Sequence, residues 1–393
     1  MKVSLLVLVV SLAGAKEPAT HQPPSVRIRL LEKHSPRHLD CSTVSGAALL
    51  VQGGSGKDLK LKRVSFDCRR SDEVCLASRG REICRRYFRL RTERSGDGIV
   101  VATGSLSRRT YDGLLEIAPT GGHCRLVNEL PVDDYAEAVA CAEMKGAPRQ
   151  ALLAQVVAAR SYALASAGKH PGSGYDFCDL THCQHYLGSG ACSPATRQGL
   201  RQVRGLVLTY QQRPAETVYF STCAGHTASA RDIWGKRADR IYLRGSPDGD
   251  GPNCQDSPHL SWRLEVDAGR LCALLRRQYP QLDKPVSGDC RVEVERLGAG
   301  GWVRTVLVTG GTRLHLSGEQ FHLLLGRVLG WGRFKSARFT IERQGRVYVF
   351  RGRGLGHGVG MCQYGAMGMA RRGFDYRRIL RHYHPHTSLE KLW

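Results

Sequence analysis

The stretch Leu130–Ala165, LPVDDYAEAVACAEMKGAPRQALLAQVVAARSYALA, predicts two helices joined by a short break. Pro131 followed by two acids is typical of a helix start, because proline fits the first turn and carboxylates suit the positive end of the helix dipole. The break Lys145–Pro148 ends the first helix, and the second is predicted to run over Gln150–Ser166. We interpret the rest of the chain around this pair.

Glu143 lies on the apolar face of the first predicted helix. At about 100° per residue it falls within roughly 60° of four apolar side chains. These are Val132, Ala136, Val139 and Ala140. A charged carboxylate is costly to bury in such a face, so Glu143 is predicted to hold a proton near neutrality and to act as a general acid. The alternative is a structural ion pair with Arg149 or Arg160.

Arg160 falls on an apolar row of the second predicted helix, with Leu153, Val157 and Leu164. A half-buried guanidinium requires a carboxylate, which could belong to Glu143, to another acid or to a substrate. Arg160 is therefore a candidate for substrate binding, with structural pairing as the alternative.

Length and cysteine content indicate an exported protein of two or three domains. The chain has 393 residues and 14 cysteines. Met1–Ala15 contains Lys2, an apolar run and a small-residue end, which predicts a secretory signal. No other run approaches the length of a transmembrane segment. Export favours disulfides for most cysteines, although their connectivity cannot be read from spacing.

The charge of the chain points to an anionic polymer as partner. The formal net charge is +23, and 58 lysines and arginines are spread along the whole sequence. Such a surface suits a polyanion. Because export makes nucleic acid an improbable partner, we expect the periplasm or cell envelope and a wall polymer. An arginine-prone genome is the alternative origin of part of this charge.

The order of apolar patterns predicts an α+β fold in five segments. These are a signal peptide (1–15), a β-rich N-terminal portion (16–127), catalytic helices with a Cys/His loop region (128–254), a small mixed α/β insert (255–335), and a C-terminal strand pair, glycine-rich loop and short helices that complete the catalytic domain (336–393).

A group of cysteines and a histidine follows the helix pair. Cys178, His182 and Cys183 lie within one short loop, and Cys223 follows later in the chain. Three thiolates and an imidazole would suit a structural zinc ion. A disulfide between two of these cysteines is an equally weighted alternative. No H-E-x-x-H motif is present, so the sequence does not support a zincin mechanism.

The glycine-rich run Arg351–Ala370 contains alternating glycines that suggest close approach of the backbone to a ligand or to other backbone. No dinucleotide or P-loop spacing fits it. His357 within the run is a candidate for substrate contact or for orienting an acid, with a structural role as the alternative. Gln363 and Tyr364, at the start of the next predicted helix, are candidates for hydrogen bonding to a sugar.

The motifs together resemble the SpoIID/LytB family of cell-wall proteins, over roughly residues 26–393. In chain order they are VNELPVDDYAEAVACAEM, ALLAQVVAARSYALA, CDLTHCQHY, RGLVLTYQQRPAETVYFSTCAGHT, SPHLSWRLEV and GRGLGHGVGMCQYGAMGMA. The chain departs from the family pattern where Lys145–Gly146 precedes Pro148, and where Cys362 replaces the serine of many members. The N-terminal third is also richer in cysteine than the general pattern.

The resemblance implies lytic transglycosylase action on peptidoglycan glycan strands that have lost their stem peptides, with Glu143 as the single acid and base and no required cofactor. Hydrolysing glycosidases generally use two carboxylates, and Asp232 is the weak candidate for a second one. The alternatives are a non-catalytic activator of a wall amidase, a zinc hydrolase at the cysteine cluster, and a structural polysaccharide-binding protein.

Overall fold

The computed structural model describes residues 22–393 except 55–56, 69–70, 79, 105, 250 and 284–289. The predicted signal peptide lies outside the described residues. No helix in the described part of the chain combines the length and the apolar character needed to cross a membrane. The fold is α+β with a β-rich N-terminal portion, as predicted.

Two sheets form the N-terminal portion. Their strands in chain order are β1 (Ser25–Leu30), β2 (His38–Thr43), β3 (Leu49–Gln52), β4 (Leu59–Leu61), β5 (Arg63–Asp67), β6 (Val74–Ser78), β7 (Arg81–Arg85), β8 (Phe88–Thr92), β9 (Ile99–Thr103), β10 (Leu106–Tyr111), β11 (Leu114–Thr120) and β12 (His123–Pro131), and a later strand, β13 (Phe177–Cys178), joins them. Within the described residues, one sheet has the order β13-β1-β12-β11-β8-β3-β4 and the other β10-β9-β2-β5-β6-β7. The rings of Phe66 and Phe88 meet between the two sheets, with centroids 5.5 Å apart.

Alternating apolar residues explain the strands that the sequence predicted. In β1, Val26, Ile28 and Leu30 are buried whereas the residues between them are not, as the two-residue period of a half-buried strand requires. The other strands of the N-terminal portion follow from β-type runs in the sequence, whereas β2, β6, β7 and β10 have no such run. The runs are 26–31, 46–52, 59–66, 87–92, 99–104, 114–118 and 124–128. β7 (REICR) is largely polar and belongs to the sheet through its pairing with β6, where Cys75 faces Cys84 in a disulfide.

Helices α1 (Val132–Glu143) and α2 (Arg149–Ala165) agree with the predicted pair to within one or two residues. The side chains of α2 from Ala151 to Ala163 are all buried. A helix that is buried on all sides lies inside the core, and α2 packs against α1 as well as against helices and a strand from the later part of the chain.

The remaining elements of the helical core follow the cysteine loop. They are α3 (Pro194–Leu200), β14 (Leu206–Tyr210), β15 (Arg213–Pro214), β16 (Tyr219–Phe220) and α4 (Ala230–Trp234). The sequence predicted that segments 205–210 and 216–220 share one small sheet, which is wrong. Strand β14 pairs with β15 and with the last strand of the chain, whereas β16 pairs in parallel with a strand that begins at Met361.

A second hydrophobic core is built from the mixed segment that follows. Its elements are β17 (Trp262–Asp267), α5 (Ala268–Gln278), β18 (Arg291–Leu297), β19 (Val303–Thr309), β20 (Arg313–Ser317), α6 (Gly318–Leu329), β21 (Phe339–Gln344) and β22 (Val347–Gly352). The hairpin β21–β22 pairs with β17, and Phe339 and Phe350 belong to this second core. The hairpin therefore packs with the insert, although the sequence analysis grouped it with the final segment.

The C-terminal segment returns to the helix pair. It contains β23 (Met361–Cys362), α7 (Gln363–Arg371), α8 (Tyr376–Tyr383) and β24 (Ser388–Lys391). The two helices agree with the short helices that the sequence predicts at 363–372 and 376–383. Helices α7 and α8 pack on α2, and β24 pairs with β14. The part of the glycine-rich run that precedes α7, residues 351–362, is thereby brought against the end of α1.

Eight cysteines form disulfides in the structure. The pairs are Cys68–Cys124, Cys75–Cys84, Cys141–Cys192 and Cys272–Cys290. The Cys141–Cys192 bond ties α1 to the loop before α3. Six further cysteines are free and buried, namely Cys41, Cys178, Cys183, Cys223, Cys254 and Cys362.

Candidate functional site

Glu143 is the last residue of α1, at the edge of a cleft. The four apolar residues that the helical wheel placed on its face are fully buried, and Glu143 itself is half-buried. Chain direction changes directly after it, because Gly146 adopts a φ of +75° that glycine accommodates without strain. The carboxylate consequently projects from the end of a buried helix rather than from its middle.

Two neutral groups donate hydrogen bonds to this carboxylate. The backbone N–H of His185 donates to Oε1 at 2.9 Å, and the side-chain amide of Gln363 donates to Oε2 at 3.3 Å. Neither Arg149 nor Arg160 is a partner, and no cation among the described residues forms an ion pair with Glu143. The carboxyl group is thus oriented by amides without a neutralising charge.

The cleft beside Glu143 has a volume of about 560 Å³. Its walls come from α1, from the cysteine loop, from the segment around β16 and from the glycine-rich run. A second carboxylate, Glu216, also lines it, and the sequence analysis missed this residue. Asp232, the predicted second acid, lines a different cavity and pairs with Arg304 at 3.4 Å. The cleft therefore holds two glutamates from separate parts of the chain.

His357 contributes a fixed ring to the cleft wall. Its Nδ1 accepts the backbone N–H of Val359 at 3.1 Å, and its Nε2 lies 3.0 Å from the carbonyl oxygen of Tyr219. Burial lowers the pKa of His357. A neutral ring with the proton on Nε2 satisfies both contacts, so His357 holds the glycine-rich run against β16.

The glycines around His357 permit a close approach of backbone to backbone. A Cβ at Gly354 would lie 2.4 Å from the carbonyl oxygen of Thr222, and one at Gly360 would lie 2.1 Å from that of Val218. Both glycines also have positive φ. This confirms the expectation that the run lies against other backbone, and it explains why the alternation ends directly before β23.

Gln363 and Tyr364 behave differently although they are neighbours. Gln363 lines the cleft and contacts Glu143, as described above. Tyr364 lies outside the lining and packs against the hydrophobic core, while its backbone N–H donates to the carbonyl of Ser221. The structure therefore brings only Gln363 of this pair to the site.

Arg160 is fully buried and is not available to a substrate. Its guanidinium pairs with Asp133 at 2.6 Å and donates hydrogen bonds to the carbonyl oxygens of Val203 and Leu206. The predicted substrate-binding role is wrong and the structural alternative is right. The wheel argument correctly placed Arg160 inside the core, but it could not identify which acid is its partner.

The predicted metal set is divided between two places. Cys178, His182 and Cys183 lie together at the cleft wall, and His170, which the sequence analysis did not include, joins them. The Cys178 and Cys183 sulfurs are 3.4 Å apart, and His170 Nε2 lies 3.2 Å from the Cys183 sulfur. Hydrogen bonding from Cys178 lowers the pKa of Cys183 to about 7. Cys223 lies in a separate buried cluster, so its assignment to this set is wrong.

The cysteine loop is tied both to the N-terminal sheet and to Glu143. Strand β13, which contains Cys178, pairs in parallel with β1. A few residues later the loop supplies the His185 N–H that binds Glu143. Two thiols and two imidazoles at these distances fit a tetrahedral zinc ion, and the two sulfurs are also near enough for a disulfide. Either link would rigidify the loop beside the carboxylate.

An exposed tryptophan joins the cleft to a neighbouring cavity. Trp234 is 40 % exposed, and its ring lies 5.1 Å from that of His357. It lines both the cleft and a second cavity of about 540 Å³. The second cavity also carries Arg231, Lys236 and Arg304. Sequence reasoning missed this groove because it forms between α4 and the insert, whose packing no local pattern reveals.

Known proteins are similar to the part of the chain that carries this site. The sequence model of SpoIID, Stage II sporulation protein, matches residues 120–210, which include α1, α2 and the cysteine loop. An uncharacterized protein of Brachyspira hyodysenteriae is 29 % identical over 296 residues, covering 73 % of this chain and 75 % of that protein. Stage II sporulation protein D of Bacillus subtilis is 28 % identical over 67 % of this chain and 76 % of its own length.

A further relative carries a different name. The Amidase enhancer of Bacillus subtilis is 26 % identical over 289 residues, which cover 61 % of this chain and 38 % of that longer protein. These similarities relate the chain to proteins named Stage II sporulation protein D and Amidase enhancer, and the SpoIID model matches its residues 120–210.

Proposed function

We propose that this protein is an exported lytic transglycosylase that cleaves peptidoglycan glycan strands lacking stem peptides. The observation that carries the proposal is the carboxyl group of Glu143, which faces a cleft and is held by neutral donors alone. In the proposed reaction this carboxyl group serves as the general acid toward the leaving oxygen.

The proposed reaction needs one group that first gives and then takes a proton. Glu143 protonates the glycosidic oxygen as the bond between muramyl C1 and the N-acetylglucosamine oxygen breaks. The muramyl C6 hydroxyl oxygen then bonds to C1, and its proton returns to Glu143. The product is a 1,6-anhydro ring, no water is consumed, and the carboxyl group ends in its starting state. The hydrogen bonds from His185 and Gln363 would orient it through both steps.

Glu216 provides the alternative chemistry within the same cleft. Hydrolysing glycosidases generally use two carboxylates, one of which activates water or attacks the sugar. Because Glu216 also lines the cleft, hydrolysis is the specific competitor to ring closure. The end group of the product distinguishes the two reactions.

The groove through Trp234 supports an extended, anionic substrate. An exposed indole offers an apolar face against which a sugar ring can pack. In the second cavity Arg304 pairs with Asp232 and Arg231 with Asp239, whereas Lys236 suits the lactyl carboxylates that loss of stem peptides leaves on the glycan. Lys169 is the one lysine or arginine among the described residues that line the cleft itself. We therefore assign the preference for denuded strands to the second cavity. Binding should consequently weaken as salt rises.

Export to the cell envelope is part of the proposal, supported by the four disulfides, which are typical of oxidising compartments. No cofactor is assigned to the glycan cleavage. Cys178, Cys183, His170 and His182 would hold a structural zinc ion, whose role would be to fix the loop that donates to Glu143. If zinc instead drove a hydrolytic reaction, chelation would abolish cleavage.

The second candidate function is activation of a wall amidase without glycan cleavage. The observation that favours it is the similarity to a protein named Amidase enhancer. Such a partner would use the groove for binding and would not depend on the carboxyl group of Glu143.

The test uses glycan strands stripped of peptides by an amidase, with peptide-bearing peptidoglycan as the matched substrate. We expect the wild-type protein to release soluble fragments from stripped strands and Glu143→Gln to bind them without cleavage. Equal cleavage by both proteins would refute the assigned acid. Binding by both without cleavage, together with stimulation of an added amidase, would support the second candidate.

A further inference from the structure

A second group of potential ligands is buried away from the cleft. Cys223, Asp248, Cys254 and Cys362 are fully enclosed, and their sulfur and carboxylate atoms all lie within 4.8 Å of one another. The Cys223 and Cys254 sulfurs are 3.6 Å apart. This buried cluster plays no part in the proposed cleavage reaction, and it was not recognised from the sequence, where its members are widely separated.

The spacing of the sulfurs suits a tetrahedral metal ion. Zinc–sulfur bonds of about 2.3 Å place two ligand sulfurs of a tetrahedron roughly 3.8 Å apart. The separation of Cys223 and Cys254 is close to that value. Three sulfurs and one carboxylate oxygen would complete four-coordination, which is typical of structural zinc sites.

The Cys362 sulfur accepts two backbone hydrogen bonds and also lies 3.5 Å from the carbonyl oxygen of Ser221. The N–H groups of Cys223 and Gly365 point to the Cys362 sulfur, at 3.2 Å and 3.3 Å respectively. N–H donation stabilises a thiolate, which is the form that binds metals. These contacts also place the sulfur at the N-terminus of α7.

Asp248 is held in the manner of a metal-ligating carboxylate. Tyr383 donates its O–H to Oδ1 at 2.5 Å, the Asn253 amide donates to the same oxygen at 3.2 Å, and the Cys254 N–H donates to Oδ2 at 3.3 Å. Ligating carboxylates usually carry such outer hydrogen bonds, which fix their orientation. Arg338, which donates to the carbonyl of Cys223 at 2.7 Å, supplies positive charge beside the cluster.

We propose that Cys223, Cys254, Cys362 and Asp248 form a buried structural zinc site. It would join the segment after β16, the loop that contains Asp248 and Cys254, and the start of α7. Gln363 directly follows Cys362 and donates a hydrogen bond to Glu143. The ion would therefore hold in position one of the two hydrogen-bond donors of the Glu143 carboxylate. A disulfide between Cys223 and Cys254 is the rival, and it would leave Cys362 and Asp248 without a shared ligand.

The experiment measures zinc per full-length chain by elemental analysis after purification in zinc-containing buffer. The double variant Cys178→Ser/Cys183→Ser removes the thiols of the cleft cluster, and Cys223→Ser/Cys254→Ser removes two from the buried cluster. Cys41→Ser is the matched control, because Cys41 is buried and free but belongs to neither cluster. We expect the cleft variant to retain one zinc ion per chain that resists dialysis, and that ion to be lost when Cys223→Ser/Cys254→Ser is added to the cleft variant. The control should keep the zinc content of the wild type.

The buried-cluster variant could fail to fold, so a second measurement uses only the cleft variant, with cobalt in place of zinc. Cobalt bound by Cys223, Cys254 and Cys362 should give an intense sulfur-to-metal charge-transfer band. Absence of both metals from the cleft variant would overturn the proposal. Mapping of a Cys223–Cys254 disulfide in the wild-type protein would overturn it as well.

Discussion

The acidic residues at the two ends of α1 have different kinds of partner. Near its N-terminal end, Asp133 pairs with buried Arg160, and Glu137 pairs with Arg204 at 2.8 Å. At its C-terminal end, Glu143 receives hydrogen bonds from two neutral amides and faces a cleft. The same helix therefore carries acids that are neutralised within the fold and one that is left without a cation.

The difference separates acids that are paired within the fold from an acid that lines a cleft. Burial raises the pKa of Glu137 in spite of its ion pair with Arg204. Asp133 and Glu137 meet the cost of burial with guanidinium groups, and each pair holds α1 against later parts of the chain. Glu143 instead lies half-buried at the cleft edge.

The largest effect should come from neutralising the acid at the cleft. Glu143→Gln keeps the shape of the side chain but removes its transferable proton, so turnover on denuded strands should fall roughly 10²- to 10⁴-fold. The free energy of unfolding should change by no more than about 0.5 kcal/mol, since no ion pair is broken. Glu216→Gln is the matched control at the same cleft. A larger loss for the control would transfer the role of acid to Glu216.

Asp133→Asn should show the opposite pattern. It leaves Arg160 buried without its charge partner, which costs about 3–5 kcal/mol. Urea unfolding measures this loss, while turnover per folded molecule should remain near that of the wild type. Combining Asp133→Leu with Arg160→Met should recover part of the stability, because it removes both charges. If Asp133→Asn left stability unchanged, the structural role of this pair would be disproved.

Sequence reasoning succeeded where a local pattern decided the outcome. The α1–α2 pair, α7, α8 and the alternating strands follow from helical and strand periodicity. The same periodicity correctly placed Glu143 beside buried apolar residues. It could not reveal partners, because Arg160 has its acid 27 positions earlier in the sequence and Glu143 has Gln363 as a donor 220 positions later.

The failures also have a common physical cause. Strands such as β7 exist through cross-strand pairing rather than alternation, and Cys223 joins its cluster through contacts with Cys254 and Cys362. Glu216 and Trp234 become cleft residues only when β16, α4 and the insert come together. Such long-range packing leaves no periodic trace in the chain.

A third prediction concerns His384, whose buried ring nitrogens have no hydrogen-bond partner among the described residues. His384 is fully buried, and burial lowers its pKa to about 3. An unfolded chain binds this proton near pH 6.5, so between those values the unfolded state binds more protons. Stability should therefore fall as pH drops below about 6.5, by up to about 1.4 kcal/mol per pH unit for this group.

The measurement is urea unfolding at several pH values for the wild type and His384→Gln. The variant should be less stable at neutral pH but show a shallower pH dependence. Because burial also lowers the pKa of His357, some dependence of the same sign should remain. An unchanged slope would show that His384 does not titrate as described.

The smallest effect concerns the groove. Trp234→Ala should weaken binding to denuded strands by about 0.5–1.5 kcal/mol, through loss of stacking against a sugar ring. Trp331→Ala is the matched control, because Trp331 is similarly exposed but lies outside the cleft lining. Calorimetry with the Glu143→Gln background measures binding without cleavage. Equal losses for both tryptophans would argue against the groove.

The most direct test of the account is mass spectrometry of the ends produced from stripped glycan strands by the wild type and by Glu143→Gln. We predict that the wild type yields 1,6-anhydro-muramyl ends, lighter by one water than reducing ends, and that the variant yields neither. Reducing ends from the wild type would contradict ring closure and implicate Glu216 in hydrolysis. Anhydro ends from the variant would contradict the assignment of Glu143 as the acid.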